Sequence, residues 1–349
     1  MQAIRNGAYD FIEKPFKEDR LLLMVQRAFE ASRLERENAE LRARVSEESD
    51  PSIIGVSTQI KAVRTAVERI APTASRVLIS GPNGSGKELA ARCIHHQSDR
   101  RDSRFIVANC ARLGAERADV ELFGSDGVAT SRRIVGLFEQ AHKGTLYFDE
   151  VCDLPLETQG KIVRAVAEQR FRRVGGNKEV SVDVRVISAS SRDLSAAIVE
   201  GRMREDLYYR LGVVPLSMPP LAERREDIPH LARHFVDLVA RRTGLGKVKL
   251  GDEVLSAMQG YRWPGNVRQM LNTIENMLIM APADRSEPLG LDLLPAEIQN
   301  ISIAAGNSDI DALLALPLRN AREAFEKSYM TAQLQRFDGN VSQLSLIHI

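Results

Sequence analysis

Cysteine is scarce in this sequence, and neither sign of charge is in excess. The three cysteines, Cys93, Cys110 and Cys152, form no CxxC pair and have no companion metal-ligand pattern. Such usage excludes a disulfide framework and predicts reduced thiols that pack in the interior of a cytosolic protein. Lysine and arginine number 48 against 47 aspartates and glutamates. No global positive charge therefore attracts nucleic acid or an acidic membrane, and any DNA contact has to be local.

Long apolar runs are absent too. No segment approaches the length of a membrane span, and Met1 is not followed by the charged segment and apolar core of a signal peptide. We therefore expect a soluble, cytoplasmic protein. The 349 residues, 44% of them hydrophobic and 27% charged, are enough for two or three folded units with sizeable cores.

The middle of the chain alternates short β-branched segments with helical ones. Strands are predicted at residues 76–80, 105–109, 145–148 and 184–189. This alternation predicts an α/β fold in which helices wrap a parallel sheet. After Pro219-Pro220 the pattern is helical only, which predicts a smaller helical subdomain.

Segments of a different kind flank this region. Residues 18–49 have no glycine or proline and repeat apolar residues at heptad spacing, with Asn38 at one of the repeating positions. We interpret them as a coiled-coil linker in which Asn38 fixes dimer register; a single helix packed on the next domain is the alternative. The predicted organisation is a short piece at 1–19, the helical linker at 20–50, the α/β subdomain at 51–218, the helical subdomain at 219–282, a linker at 283–310 and a last piece at 311–349.

A glycine-rich turn lies between the first predicted strand and a helix. It reads Gly81, Pro82, Asn83, Gly84, Ser85, Gly86 and Lys87. Glycines let backbone N–H groups point into one concavity, the helix N-terminus adds partial positive charge, and Lys87 supplies a mobile cation for the outer phosphates of a nucleotide. The motif predicts a phosphate-binding loop. Glu88 stands where the general motif has a Ser or Thr for magnesium.

Two carboxylates end the third predicted strand. We expect Asp149 to hold Mg²⁺, directly or through water, and Glu150 to orient and polarise the attacking water, because phosphoryl transfer depends on positioning and charge stabilisation. A strand that simply ends in Asp-Glu at the solvent is the alternative. The phosphate loop upstream favours the catalytic interpretation.

Several longer segments carry a family resemblance. They are GPNGSGKE, FIVANCARL, ELFG, FEQAHKGTLYFDEV, RMREDLYYRLGVVPLSMPPLAERREDI and YRWPGNVRQM, in this order between Ser52 and Pro282. Together they resemble the central AAA+ P-loop ATPase domain of the NtrC class of sigma-54-dependent response regulators, in which Glu88 is expected. GAYDFIEKPF near the beginning is similar to the end of a receiver domain, and LPLRNAREAFEKSYMTAQLQRFDGNVS to the start of a Fis-type helix-turn-helix domain. The whole is most similar to the NtrX-type nitrogen regulators.

The resemblance implies an ATP-hydrolysing transcription regulator of a two-component system that uses ATP and Mg²⁺. It implies that Asn109 holds Glu150 in an inactive rotamer, that Arg204 and Arg210 reach the γ-phosphate of a neighbouring subunit, and that Arg268 senses the nucleotide from the helical subdomain. Without the family, two arginines beside acidic residues are more simply surface ion pairs. The implied partners are further copies of the chain, from a dimer to a ring of the hexamer type, promoter or enhancer DNA, and a cognate sensor histidine kinase.

The sequence departs from the family in three places. The family loop that touches sigma-54 carries GAFTGA, whereas residues 125–133 read SDGVATSRR, shorter and without the Phe-Thr pair. The sensor segment, which normally ends in Thr-Asn, is Ser188-Ala189-Ser190-Ser191, and a serine hydroxyl reaches less far than asparagine. The chain ends in QLSLIHI, without Lys or Arg, where a recognition helix would enter the major groove.

Two expectations follow from these departures. The chain is a fragment whose ends are not domain boundaries, and the usual contact with sigma-54 is missing. The leading interpretation is an ATP-hydrolysing regulator with a degenerate GAFTGA loop. The alternative is a DNA-binding regulator that uses ATP for assembly only, independent of sigma-54.

Overall fold

The structure is a computed structural model that describes residues 51–114, 117–127, 133–246, 248–281 and 288–299, together with Arg322. The predicted receiver remnant at 1–19, the coiled coil at 20–50 and the loop tip at 128–132 lie outside the described residues. So does the predicted helix-turn-helix piece at 311–349, apart from Arg322. These predictions therefore stay predictions.

Two sheets are present in the described part of the chain. Their strands are β1 (Val77–Ser80), β2 (Phe105–Asn109), β3 (Thr145–Asp149), β4 (Arg170–Arg172), β5 (Glu179–Ser181), β6 (Arg185–Ser190) and β7 (Val214–Ser217). The central sheet has the order β2-β3-β6-β1-β7, and its four strand pairs are all parallel. Strands β4 and β5 form a separate antiparallel pair.

Helices surround the central sheet and then continue alone. Those in the described ranges are α1 (Thr58–Ile70), α2 (Lys87–His96), α3 (Ala118–Phe123), α4 (Leu137–Gln140), α5 (Leu156–Glu168), α6 (Leu194–Val199), α7 (Glu205–Leu211), α8 (Ile228–Arg242), α9 (Asp252–Gly260) and α10 (Asn266–Met280). None of them is long and apolar enough to cross a membrane.

Both faces of the central sheet are buried. Successive side chains of a strand point to opposite faces, so Leu146 and Phe148 of β3 belong to one apolar core, and Tyr147 between them belongs to the other. Two buried faces explain why these strands are almost continuously apolar, as is usual in parallel sheets. The predicted α/β fold with a parallel sheet is confirmed. The three cysteines are buried and none of them forms a disulfide bond, as predicted.

Three strands of the α/β part were not predicted. Strand β7 contains Pro215, which removes a ladder N–H, and a proline within a run argues against a strand. The structure places β7 at the edge of the sheet, paired only with β1, and an edge strand tolerates proline. The short strands β4 and β5 have half-polar sequences with no long apolar run.

Helices α8, α9 and α10 form a smaller helical subdomain, called the lid below. Trp263 is buried among its apolar residues, and its indole N–H donates to the Met258 carbonyl at 2.8 Å. The predicted boundary at 282 and linker at 283–310 need correction, because Leu289, Leu294 and Ile298 are also buried in this core. The linker prediction rested on the polar stretch at 304–308 and overlooked this apolar spacing upstream.

Candidate functional site

The glycine-rich turn connects β1, in the middle of the sheet, to the first residue of α2. Gly84 and Gly86 have φ values of 74° and 106°, a backbone conformation that favours glycine. A Cβ on Gly84 would lie 2.3 Å from the carbonyl oxygen of Gly265 in the lid. The turn therefore requires glycine both for its own curvature and for the close approach of the lid.

Lys87 is the first residue of α2 and is almost fully buried. Its ammonium group donates to the Gly81 carbonyl at 3.0 Å and lies 3.0 Å from Oε1 of Glu150. A buried lysine needs such partners, because removing an unpaired charge from water is costly. Without a nucleotide, the loop and the carboxylate of Glu150 share that role.

Glu150 directly follows β3 and has a left-handed backbone, with φ of 56°. Its Oε2 accepts hydrogen bonds from the backbone N–H of Ser191 at 2.8 Å and from the Ser191 hydroxyl at 2.9 Å. Ser191 can make both bonds because β6, which it follows, lies between β1 and β3. Lys87, Glu150 and Ser191, which follow three adjacent strands in the sheet, thus meet at the carboxyl end of these strands.

The resemblance implied that Asn109 holds Glu150, and the structure shows other partners. Asn109 ends β2, in register with Asp149 on β3, and its side chain is exposed. In the part of the chain that the structure describes, Ser191 and Lys87 hold the Glu150 carboxylate, and no hydrogen bond joins it to Asn109. Ser191, in the sensor segment that departs from Thr-Asn, thus contacts the Glu150 carboxylate directly.

Asp149 is the last residue of β3 and lies beside Glu150. The Tyr147 hydroxyl donates to its Oδ1 at 3.1 Å. Burial raises the pKa of the Asp149 carboxyl, while the Tyr147 hydrogen bond opposes the rise. A carboxylate that loses solvation on folding gains from a cation, so Asp149 is suited to hold one.

The loop also contains an unsatisfied polar group. The Ser85 side chain is buried, and its hydroxyl has no hydrogen-bond partner within the described residues. A buried hydroxyl without a partner is unfavourable unless a ligand supplies one. The glycine cradle and this hydroxyl fit a phosphate group. Mg²⁺ is usually held by one or two carboxylates together with phosphate oxygens and water, and Asp149 and Glu150 can supply such carboxylates.

Glu88, predicted to belong to the nucleotide site, lies on the outer side of α2. Its carboxylate pairs with Arg92 one turn later at 2.7 Å, and both side chains are about half exposed. Such an exposed i, i+4 pair stabilises a helix only slightly. In this structure Glu88 therefore supports α2 and makes no contact inside the loop.

The lid contacts the loop directly. The Val267 N–H donates to Gly84 O at 3.0 Å, and the Arg268 N–H lies 3.4 Å from the same oxygen. The predicted nucleotide sensor Arg268 is thus adjacent to the loop. Sequence reasoning missed Asn266, whose Nδ2 donates to Asn83 O at 2.9 Å and whose Oδ1 accepts from Leu221 N at 2.7 Å. Its place after a glycine at a helix start was an available signal.

The buried Arg224 also contacts the loop. No pattern in the sequence predicted this contact. Nη2 of Arg224 donates to the Ser85 carbonyl at 2.8 Å. Burial lowers the pKa of this guanidinium, although nearby Asp227 opposes the shift. Asp227 in turn accepts hydrogen bonds from Ser57 N and from the Ser57 hydroxyl, both at 2.7 Å. The start of the lid thus fixes both the loop and the beginning of α1.

Arg204 and Arg210 lie at opposite ends of α7. The Arg204 guanidinium pairs with Asp206 at 2.8 Å and is about half exposed. Nε of Arg210 is buried without a hydrogen-bond partner among the described residues, and the Arg210 charge contributes, after burial, to a lowered pKa of Arg76. No ion pair in the described ranges joins either arginine to Glu150 or Asp149 of the same chain.

These features define a class of protein. The strand that carries the loop is separated by one strand from the strand that carries the carboxylates, and a helical lid contacts the loop from the side. This is the arrangement of an AAA+ P-loop ATPase.

Comparison with known proteins gives the family. The family described as Sigma-54 interaction domain matches residues 53–217, and the one described as AAA+ ATPase lid domain matches residues 222–311. The chain belongs to the sigma-54-interaction family of AAA+ response regulators, which are ATPases that regulate transcription in two-component systems. The resemblance to the NtrC class is confirmed.

Individual relatives agree with this assignment. The chain is 46% identical over 343 residues to the nitrogen assimilation regulatory protein NtrX of Azorhizobium caulinodans, covering 98% of this chain and 75% of that protein. It is 40% identical over 316 residues to the response regulator protein PilR of Pseudomonas aeruginosa, covering 90% and 69% of the two chains. A crystal structure of NtrX from Brucella abortus in complex with ATP is 48% identical, with a TM-score of 0.68 over 98% of this chain and 75% of that one.

Proposed function

We propose that this chain binds ATP in the loop 81–87 and hydrolyses it at a site completed by a second copy of the chain. The proposal rests on one observation: the Lys87 ammonium lies 3.0 Å from the Glu150 carboxylate, at the carboxyl end of the parallel strands, where Asp149 also lies. Phosphoryl transfer to water requires two groups in one place: a cation that binds the phosphates and a base that orients the water. A relative crystallised with ATP supports the same nucleotide here.

The loop residues bind and orient the phosphates. Backbone N–H groups at the start of α2 and the unpartnered Ser85 hydroxyl donate to phosphate oxygens, and Lys87 neutralises the outer ones. Asp149 holds magnesium, which neutralises phosphate charge when it is bound. Arg268 reports the nucleotide to the lid, since its backbone lies beside Gly84.

Glu150 changes partner when ATP binds. The outer phosphates compete with its carboxylate for the Lys87 ammonium, and Ser191 continues to hold Oε2. The released Oε1 is then free to orient the attacking water. Asn109 remains the proposed partner that holds Glu150 in an inactive rotamer until nucleotide and target are engaged, and its strand is in register with Asp149.

The arginines act in a neighbouring subunit. Arg204 and Arg210 stand at the ends of a short helix, and in the described ranges neither forms an ion pair with Asp149 or Glu150 of its own chain. An arginine supplied in trans to the γ-phosphate stabilises the charge of the transition state. Such a site exists only at a head-to-tail interface, which closes into a ring. A ring of the hexamer type is the assembly we propose.

Replacing Lys87 tests the nucleotide site. In Lys87→Ala, loss of the charged hydrogen bonds to phosphate is expected to weaken ATP binding about 10- to 100-fold. Isothermal titration calorimetry measures this affinity. The matched control is Lys61→Ala, an exposed lysine of α1, which is expected to bind ATP like the parent chain. Equal affinities in the two variants would contradict the assignment of the site.

The output of hydrolysis is regulation of transcription, with promoter or enhancer DNA and a sensor kinase as the proposed partners. We propose that this output does not use the usual loop contact with sigma-54. Residues 125–133 lack the Phe-Thr pair, and apolar anchors commonly dominate such contacts. A regulator that uses ATP for assembly only is the second candidate, and this loss is what favours it.

Transcription in vitro separates these outputs. The chain, ATP and sigma-54 holoenzyme are expected to give no ATP-dependent transcripts, because the apolar anchor of the loop is missing. Restoring GAFTGA in place of residues 125–133 is the matched gain-of-function control. ATP-dependent transcripts from the unaltered loop would overturn the proposal. Hydrolysis in the same preparation distinguishes an active ATPase from assembly alone.

A further inference from the structure

Gln159 is a fully buried polar residue on α5 with every part of its side-chain amide bonded. Its Oε1 accepts a hydrogen bond from the Arg204 N–H at 2.8 Å. Its Nε2 donates to the Leu154 carbonyl at 2.8 Å and to the Arg202 carbonyl at 2.9 Å. Its exposed fraction is 0%. All three partners are backbone groups, so the side chain fixes the path of the chain itself.

The partners belong to two functional segments that are far apart in sequence. Leu154 caps the short turn Val151–Asp153, which begins immediately after Glu150. Arg202 and Arg204 form the approach to α7, with Arg204 as its N-cap. One side chain therefore joins the segment that follows the water-orienting carboxylate to the segment that presents the arginines.

At these points Gln159 adds to the burial of Leu154 and Met203 in an apolar core. Arg202 N and Met203 N share a single acceptor, the Ala197 carbonyl, whereas the next N–H, that of Arg204, goes to Gln159. On the other side, Asp153 of the turn pairs with Arg192 at 2.9 Å, next to the Ser191 that holds Glu150. The turn Val151–Asp153 thus connects Gln159 both to Glu150, which precedes the turn, and to Arg192, next to Ser191.

Gly160, the residue after Gln159, lies beside the Arg204 side chain. A Cβ on Gly160 would lie 3.7 Å from the Arg204 guanidinium, so that group lies against the surface of α5 beside Gln159. The backbone of Arg204 is therefore held by Gln159, while its guanidinium lies beside the same turn of α5 and pairs with Asp206.

We propose that Gln159 is a positioning residue for the shared ATPase site: it sets the arginines that a subunit lends to its neighbour according to the state of its own Glu150 segment. The inference rests on the proposed function, in which Arg204 and Arg210 act in trans. Gln159 itself touches no substrate. It supplies a direct physical link between the two active sites to which one chain contributes.

The test uses Gln159→Leu, which keeps the approximate volume and removes all three hydrogen bonds. A small displacement of a transition-state group can lower a rate about 10²-fold, so we expect kcat for ATP hydrolysis to fall about 10- to 100-fold with the Kd for ATP unchanged. The matched control is Thr158→Val, which removes a buried hydrogen bond to Asp119 from the same turn of α5. This control is expected to keep the parent kcat.

Mixed assemblies show in which subunit the defect acts. Glu150→Gln chains do not hydrolyse ATP but offer intact arginines, so adding them to Gln159→Leu chains is expected to restore activity above the sum of the separate preparations. Arg210→Ala chains mixed with Glu150→Gln chains serve as the reference for rescue in trans. Light scattering confirms assembly in each mixture.

Each outcome decides the matter. Rescue of Gln159→Leu to the extent seen with Arg210→Ala supports the proposal. A parent-like kcat in Gln159→Leu, or rescue of Arg210→Ala without rescue of Gln159→Leu, overturns it and leaves the shared site standing. Failure of both rescues overturns the shared site and the inference together. If Gln159→Leu does not fold, the same measurements on the unbranched Gln159→Met decide between these outcomes.

Discussion

The charged Asp149 carboxyl destabilises the native state, which its proposed role of holding magnesium explains. Burial raises its pKa, so above its folded pKa the charged form is less favourable in the native state than in the unfolded state. Below the unfolded pKa both states are protonated and the cost disappears. Asp149→Asn is therefore expected to raise the melting temperature of the nucleotide-free protein at pH 7, and the difference should vanish at acid pH. Calorimetric unfolding at both pH values measures this.

The same substitution should abolish hydrolysis, because an amide is a poor partner for magnesium. Tyr147→Phe is the matched control, since it removes the hydrogen bond that stabilises the charged carboxylate and leaves the carboxylate in place. A lower melting temperature for Asp149→Asn at pH 7 would contradict the sign of the shift.

The sequence predicted some site residues and not others, for a physical reason. Lys87, Asp149 and Glu150 follow strands in short local patterns, and the structure brings them together. Ser191 makes two hydrogen bonds to Glu150, 41 positions away, and Gln159 accepts one from Arg204, 45 positions away. Such contacts depend on how strands and helices pack, and no local spacing encodes them. The roles implied for Asn109, Arg204 and Arg210 remain predictions.

At the scale of elements, Arg173 joins three of them. This buried side chain follows β4 and donates to Glu139 of α4 through Nε and Nη2, each at 2.7 Å, and to Asp126 through Nη1 at 3.1 Å. The hydrogen bonds to Glu139 are the main cause of its raised pKa. The base of loop 125–133 is thereby fixed to the hairpin β4–β5 and to α4.

Arg173→Met is expected to lower the free energy of unfolding by about 2 kcal/mol, because hydrogen bonds to charged groups contribute roughly that much and Glu139 would lose its main partner. Urea denaturation followed by circular dichroism measures the change. Arg170→Ala, an exposed arginine of β4, is the control and should stay within about 0.5 kcal/mol of the parent. Equal free energies of unfolding for the two variants would show that the Arg173 hydrogen bonds do not contribute to stability.

The elements that the sequence predicted are those with strong periodic patterns. Four apolar segments became β1, β2, β3 and β6, because burial on both faces demands continuous apolar residues. Strand β7 escaped prediction because proline is tolerated only at an edge, and whether a strand lies at an edge is a property of the assembled sheet. The extension of the lid core beyond 282 escaped because its apolar residues lie outside a regular helix.

At the scale of the whole molecule, the lid is tied to the phosphate loop by a few specific contacts. Asn266 bridges Asn83 and Leu221, and Arg224 reaches the Ser85 carbonyl. The Asn83 and Ser85 contacts join these residues to the phosphate loop. We therefore expect a change in the loop on ATP binding to reach α10 and the residues just before it.

Those residues give the protein an optical reporter of its own. Trp263, the single tryptophan of the chain, lies three positions before Asn266 and stands edge-on to Tyr261, with ring centroids 5.2 Å apart. Titrating ATP is expected to change its fluorescence emission in a saturable way, whereas Lys87→Ala should show no change over the same concentrations. Constant emission alongside calorimetric binding would mean that the lid does not follow the loop. A quencher such as acrylamide would then distinguish an opened lid, in which the indole becomes accessible, from one that stays closed over a buried ring.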